Sequence, residues 1–187
     1  MTEHTEHSGK SAEKAHAEEK AREAYARILK SQEYKEFRAA HPKAYLAHCF
    51  TTHQDGVREH WQIGFYDPGT DKVTMFEAKS DAILAHPEQE VYKEPGATIE
   101  PLYIDEVTVL LGDTLDKIKK RITESYKGEV SSKEICILQH LQDYGTIWNI
   151  TVLSLTFHVI NFKIDAKSGK IIHEQRESLT TWKKDDV

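Results

Sequence analysis

Between Trp148 and Gln175 the chain has the sequence WNITVLSLTFHVINFKIDAKSGKIIHEQ. Two runs rich in β-branched and aromatic residues lead into a polar turn at residues 164–171, IDAKSGKI, which has apolar residues on both sides. Asp and Ser side chains bond to nearby backbone groups, and glycine tolerates positive φ, so the pattern is typical of a β-hairpin. The stretch therefore predicts a small antiparallel sheet packed on a helix.

The same turn resembles the C-terminal hairpin of PepSY-type domains. In that family a strand ends in the order Ile or Val, Asp, Ala, any residue, Ser or Thr, Gly, Lys, and Ile or Val. The resemblance covers residues 103–176 and implies a cystatin-like layout with a helix over residues 114–127. It also implies a role in restraining peptidases, and it brings no catalytic residues. The chain departs from the family in its long charged N-terminal segment, and it shows no leader sequence or attached peptidase.

The amino-acid composition argues against some classes of function. The chain has 187 residues, of which 39% are hydrophobic and 30% charged, with a net charge of −6. This balance is typical of a soluble globular protein and argues against nonspecific nucleic-acid binding. No apolar run is long enough to span a membrane. Two cysteines and no signal peptide predict a reducing compartment, and the cytoplasm is the expected location.

Three regions are expected from the distribution of charged residues and prolines. Residues 1–40 form a disordered start and a charged helix from Ser11 to about Ala40, which Pro42 ends. Residues 41–101 hold a first hairpin-containing unit and a Pro-rich connection, and residues 102–187 hold the PepSY-like unit. The expected fold class is α+β, with an antiparallel sheet packed on helix in one or two related units.

Local patterns predict the elements within these regions. Asp113 or Thr114 is the expected N-cap of the helix in the last region, and Gly128 its C′ residue. Residues 134–141 fit a helix or a buried strand, and we favour the strand. The other expected elements are strands at 44–53, 60–66, 72–78, 146–155, 157–165 and 170–176, a helical turn at 81–85 and a short strand opening 102–111.

A faint internal repeat links the two halves of the chain. Residues 66–73, YDPGTDKV, align with residues 164–171, IDAKSGKI. One interpretation is a duplication in which two helix-plus-sheet units pair into one body. The other is that Asp, Gly, Thr or Ser and Lys simply recur in turns.

Aromatic residues in the predicted strands are the first candidates for a ligand surface. Trp61, Trp148 and Phe162 are expected in the core, or lining a concavity between sheet and helix that takes a small apolar ligand or a peptide. His158 is either a satisfied interior histidine or a polar group in such a pocket.

The predicted N-terminal helix carries a second candidate surface. Tyr25, Ile28 and Leu29 begin an apolar stripe that continues to Tyr34 and Phe37. We expect this stripe to dock on a protein partner or on a second copy of the chain.

Chemistry-bearing side chains form no recognised catalytic motif. Neither a nucleophile elbow nor a phosphate-binding loop occurs. Cys49 and His53 share one face of a predicted strand and are the candidate pair for zinc or nickel. The sequence thus favours a non-catalytic protein- or peptide-binding module, and a small-molecule or enzymatic pocket and a metal-binding protein are the alternatives.

Overall fold

The structure of this protein is a computed structural model that describes residues 20–91, 93 and 98–179. Within those residues it contains three α-helices, one short 3-10 helix and a ten-stranded sheet. The helices are α1 (Ala21–Lys30), α2 (Gln32–Ala40) and α3 (Leu111–Ser125), and the 3-10 helix is Ile104–Glu106. The strands are β1 (Tyr45–Gln54), β2 (Val57–Arg58), β3 (Trp61–Asp67), β4 (Lys72–Ala78), β5 (Ile83–Ala85), β6 (Gln89–Glu90), β7 (Ser131–Leu141), β8 (Gly145–Ser154), β9 (His158–Asp165) and β10 (Ile171–Ser178).

The sheet is continuous and its strand pairs are antiparallel. Its order is β10-β9-β8-β7-β1-β3-β4-β5, with β2 added to β1 and β6 added to β4. The strand β1 pairs with β7 from His48 opposite Gln139 to Gln54 opposite Lys133. This pairing joins the strands before residue 101 to those after it in a single sheet.

One row of apolar side chains crosses the sheet and marks its covered face. Six residues of successive strands lie opposite one another in this row, and each is at most 2% exposed. They are Phe76, Ile63, Cys49, Leu138, Trp148 and Ile164. Ile28 of α1 and Ile118 of α3 belong to the same core cluster. The predicted α+β class, with an antiparallel sheet packed on helices, is confirmed.

The two aligned turns have the same backbone geometry. In the β3–β4 turn the Asp71 N–H donates to the Asp67 carbonyl at 2.9 Å, and Asp71 has φ of 56°. In the β9–β10 turn the Gly169 N–H donates to the Asp165 carbonyl at 2.8 Å, and Gly169 has φ of 69°. Both first aspartates also accept a backbone N–H inside the turn. The two hairpins are confirmed, whereas the duplication stays a prediction.

The predicted N-terminal helix is not a single helix over the described residues. The chain enters α1 at Ala21, and residues 11–19 lie outside the described part. At Ser31 the backbone is extended, and its hydroxyl accepts the Tyr34 N–H at 3.2 Å. Ser31 therefore caps the start of α2, because it satisfies an N–H group that has no partner within the helix.

Three smaller predictions were wrong, and one open choice is settled. Residues 83–85 form a strand that pairs with β4, not a helical turn. The stretch 102–111 contains the 3-10 helix instead of a strand. The N-cap of α3 is Leu110 and not Asp113 or Thr114, because the helix already begins at Leu111. Thr114 lies within the first turn, where its hydroxyl donates back to the Leu110 carbonyl. Residues 134–141 lie in β7, as favoured.

The face of the sheet opposite the row of Cys49 and Ile63 holds one close contact with a measurable consequence. A Cβ on Gly64 would overlap the ring of His48, its neighbour across β1 and β3. Burial lowers the pKa of His48 to about 4, so this ring is neutral at pH 7. We expect Gly64→Ala to lower the free energy of unfolding by about 1–3 kcal/mol through overpacking.

The control is Gly64→Ala in a His48→Ala background, where the imidazole ring that would overlap the new Cβ is absent. There we expect Gly64→Ala to cost less than about 1 kcal/mol in urea unfolding. An equal cost in both backgrounds would show that the histidine ring is not the obstacle.

Candidate functional site

A cavity of about 820 Å³ opens between the first turns of α1 and α3, over the covered face of the sheet. Its floor consists of Trp61, Leu138 and Trp148. These side chains are at most 2% exposed, so the floor is already packed and the open volume lies above it. A volume of this size is within the range of small-molecule sites.

The two tryptophans are fixed from different strands. Trp61 opens β3 and Trp148 lies in β8, with ring centroids 6.3 Å apart and planes tilted by 42°. The Trp148 indole N–H donates to the Val109 carbonyl at 2.9 Å. The guanidinium of Arg58 lies 5.1 Å from the centre of the Trp61 ring. Each indole is therefore tied to one wall of the cavity, by a hydrogen bond or by a cation–π contact.

One wall of the cavity is the connection before α3. The N–H groups of Thr108 and Val109 both donate to the Ala166 carbonyl at 3.0 Å. The Arg22 guanidinium donates to the carbonyls of Ile104 and Val107 at 3.0 and 3.2 Å. These bonds hold the connection against both the β9–β10 turn and α1, so the cavity has a formed rim.

Two helices begin at this cavity. Residues 20–23 and 110–113 are among its lining. The N-cap of α3 is a leucine, which has no acceptor for the N–H groups of the first turn. A Cβ added to Gly112 would meet no atom within 4 Å. Open space therefore lies beside Gly112 at the start of α3.

The candidate metal pair does not form a metal site here. Cys49 is fully buried, and burial raises the pKa of its thiol, so the thiolate ligand is disfavoured. His53 lies at the edge of the cavity, and its Nδ1 is 2.8 Å from the Glu134 carboxylate. Among residues 20–91, 93 and 98–179 no group of three or more His, Cys, Asp or Glu side chains could hold a metal ion.

His158 lies away from the cavity, in a network around a buried carboxylate. Its Nδ1 is 3.1 Å from Glu129, which is 4% exposed. Glu129 also pairs with Arg176 and accepts the Ser154 hydroxyl, each at 2.5 Å. Burial alone would raise the pKa of Glu129, but the hydrogen bonds and the charges of its partners hold it at about 2. His158 is thus a satisfied histidine in this network.

The remaining predicted surface residues pack within the core or against it. Phe162 is fully buried, and Ile28 of the N-terminal stripe is also fully buried against the sheet. Tyr25 stacks on Phe65 at a centroid distance of 6.1 Å, and Leu29 packs against the same cluster. The stripe docks on the body of its own chain, so Ile28 offers no exposed surface to a partner.

The sequence identified the tryptophans of the floor but not the rim. Arg22 is 36 residues from Arg58 in the sequence, as their numbers give, and neither belongs to a motif. Only the pairing of β1 with β2 and the packing of α1 on the sheet bring them to one opening. The one local signal is the position of Arg58, three residues before Trp61.

Comparison with known proteins leaves the family open. No known family model matches this chain, and no curated protein matches it. The chain is similar to the crystal structure of a Clostridium difficile 630 protein described as a "putative lipoprotein". The identity is 13% and the TM-score 0.49, with 78% of this chain and 90% of the other covered. In the part that the structure describes, no helix has both the length and the apolar character to cross a membrane.

Proposed function

We propose that this chain is a non-catalytic binding protein whose ligand site is the cavity between α1 and α3. The observation that carries the proposal is the cavity itself, with its aromatic floor of Trp61 and Trp148 and its hydrogen-bonded rim. Concave, largely apolar sites with a few placed polar groups are the usual form of small-molecule pockets. The ligand is a small organic molecule with an apolar body.

The titratable groups support a binding role over a catalytic one. Burial raises the pKa of Cys136 to about 12 and also raises that of Cys49, so neither thiol is an activated nucleophile. The carboxylate with the most strongly lowered pKa, Glu129, serves the network with Arg176 outside the cavity. Binding and release of a ligand need none of these groups.

The proposal is tested with a neutral aromatic probe, phenylnaphthylamine, whose fluorescence rises in apolar surroundings. We expect saturable binding at one site, because the cavity accepts one molecule of this size. Gly112→Phe and Val107→Trp each add a large side chain at the lining, and each should weaken binding at least about tenfold, a loss of about 1.4 kcal/mol. Unfolding curves confirm that both variants fold.

The matched control is Lys119→Phe, which adds the same ring to an exposed position of α3 outside the cavity. It should leave probe affinity unchanged. Absence of saturable binding to the unaltered protein, or equal binding to all variants, would contradict the proposed function.

A second candidate is the binding of an extended peptide, and one observation favours it. Among the described strands, β10 lies at one end of the sheet order and pairs only with β9. An exposed edge of this kind can accept a further strand through backbone hydrogen bonds. The peptidase-restraining role implied by the PepSY-type resemblance belongs to this candidate, and it stays a prediction, as does a cytoplasmic location.

A further inference from the structure

Several polar side chains around the cavity are engaged with other parts of the chain. The Arg22 guanidinium donates to two carbonyls of the connection before α3. The Thr108 hydroxyl donates to the Lys167 carbonyl, and the Glu23 carboxylate accepts the Lys20 N–H at 2.9 Å. These groups hold the rim of the cavity in place.

His53 differs from these groups, because its bond to the rest of the chain uses one of its two ring nitrogens. The residue lies in β1 and is among those that line the cavity. Its Nδ1 is 2.8 Å from the carboxylate of Glu134, the residue opposite it on β7. This pair leaves Nε2, on the other side of the ring, for a further partner. The side chain is 27% exposed, so a molecule in the cavity can reach it.

Glu134 determines which nitrogen of the His53 ring carries the proton. A carboxylate oxygen only accepts hydrogen bonds, so the proton between the two residues is on Nδ1. The second oxygen of Glu134 accepts the Ser131 hydroxyl, which holds the carboxylate in place. The bond made by one ring nitrogen sets the tautomer of a neutral histidine, and Nε2 is then a hydrogen-bond acceptor. The cavity therefore has an oriented acceptor at its edge.

We propose that the ligand is an aromatic molecule that carries a hydrogen-bond donor, an O–H or N–H group. Its apolar ring lies above Trp61 and Trp148, and its donor binds Nε2 of His53. Glu134 is a positioning residue, because it acts on the ligand only through His53. A site with an oriented acceptor discriminates against molecules that leave this acceptor unpaired. The inference rests on the proposed function, because it names the chemical class of the molecule that the cavity binds.

The test uses two competitors that differ in one donor. Naphthol has a hydroxyl group, and its methyl ether has the same oxygen without the proton. Each is used to displace phenylnaphthylamine at about pH 7.5, where an ordinary imidazole is mostly neutral. We expect naphthol to bind at least about fivefold more tightly than the ether. His53→Phe keeps a ring but removes the acceptor, so it should bring the two affinities within about twofold of each other.

Two further variants distinguish a hydrogen-bond acceptor from a structural role. His173→Phe, on β10 and outside the cavity lining, is the matched control and should leave the preference for naphthol unchanged. In Glu134→Gln the amide can donate as well as accept, so Nδ1 of His53 no longer has to carry the proton. Nitrogen chemical shifts of the ring report the tautomer directly. They should show an unprotonated Nε2 in the unaltered protein, and a mixture of tautomers with a weaker preference for naphthol in Glu134→Gln.

The results separate this inference from the proposed function. Equal affinities for naphthol and its ether, a preference that survives His53→Phe, or a protonated Nε2 in the unaltered protein would overturn the inference and leave the binding function standing. An unchanged tautomer in Glu134→Gln would overturn the positioning role of Glu134. Failure of phenylnaphthylamine to bind in a saturable way, or binding that Gly112→Phe does not weaken, would overturn the proposed function itself.

Discussion

Replacement of Phe65 by alanine is expected to lower the free energy of unfolding by about 3–5 kcal/mol, because it removes a fully packed ring and leaves a cavity. Phe65 is 1% exposed. Its ring centroid lies 4.8 Å from that of Tyr34 and 5.6 Å from that of Phe76. These contacts join α2 to β3 and β4, so the loss affects the packing of the helices on the sheet. Urea unfolding at pH 7 measures the change.

Phe157→Ala is the matched control, since it is the same substitution at a residue that is 66% exposed. We expect it to change the free energy of unfolding by less than about 0.5 kcal/mol, as for most surface positions. Similar losses for the two variants would show that the ring cluster around Phe65 does not anchor the helices.

Glu129→Gln is expected to lower the free energy of unfolding by about 2–3 kcal/mol at pH 7, because Arg176 loses its buried charge partner. The pKa of Glu129 falls from an ordinary value of 4.5 to about 2 in the folded chain. A folded-state pKa below the unfolded one contributes stability above the unfolded pKa, and this is lost as the pH falls through the folded pKa. The difference between the two proteins should therefore shrink as the pH falls from 4.5 toward 2.

Urea unfolding of both proteins between pH 7 and pH 2.5 gives this difference directly, because the effects of all other carboxylates cancel. Glu124→Gln is the control, since that side chain is 57% exposed and its ion pair with Lys120 is 4.0 Å long. It should change stability by less than about 0.5 kcal/mol at any pH. A difference for Glu129→Gln that does not depend on pH would contradict the lowered pKa.

The strands and hairpins could be predicted because their causes are local. Asp165 and Gly169 specify their turn through a side-chain acceptor and a left-handed backbone position, and both lie within five residues of sequence. The alternation of apolar residues likewise placed Trp61 and Trp148 in strands. A local pattern does not predict the order of the strands in the sheet. The pairing of β1 with β7 at the centre of the sheet was therefore not predicted.

Burial could be predicted for the N-terminal stripe, but not what buries it. An apolar helix face needs another apolar surface to cover it, and either a partner protein or the chain's own sheet can supply that surface. The packing of Tyr25 on Phe65 is a contact across 40 residues of sequence, as the two numbers show. The sequence of the helix does not show whether a partner protein or the chain's own sheet covers this face.

The cavity could not be predicted for a related reason. Its floor comes from two strands, and its rim comes from a loop held by hydrogen bonds to backbone carbonyls. The bond from the Trp148 indole to the Val109 carbonyl spans 39 residues and depends on no side-chain identity at position 109. The N-cap of α3 is Leu110, whereas N-caps are usually polar. The sequence therefore predicted a start of α3 that is about one turn too far along the chain.

The most direct test of this account is a nuclear magnetic resonance titration of the isotope-labelled full chain with phenylnaphthylamine. The expected result is that the largest signal changes occur at the indole N–H groups of Trp61 and Trp148 and at the backbone N–H of Gly112. Residues 171–178 of β10 should be unaffected. Changes confined to β10 would place binding at the sheet edge and contradict the assignment of the cavity as the ligand site.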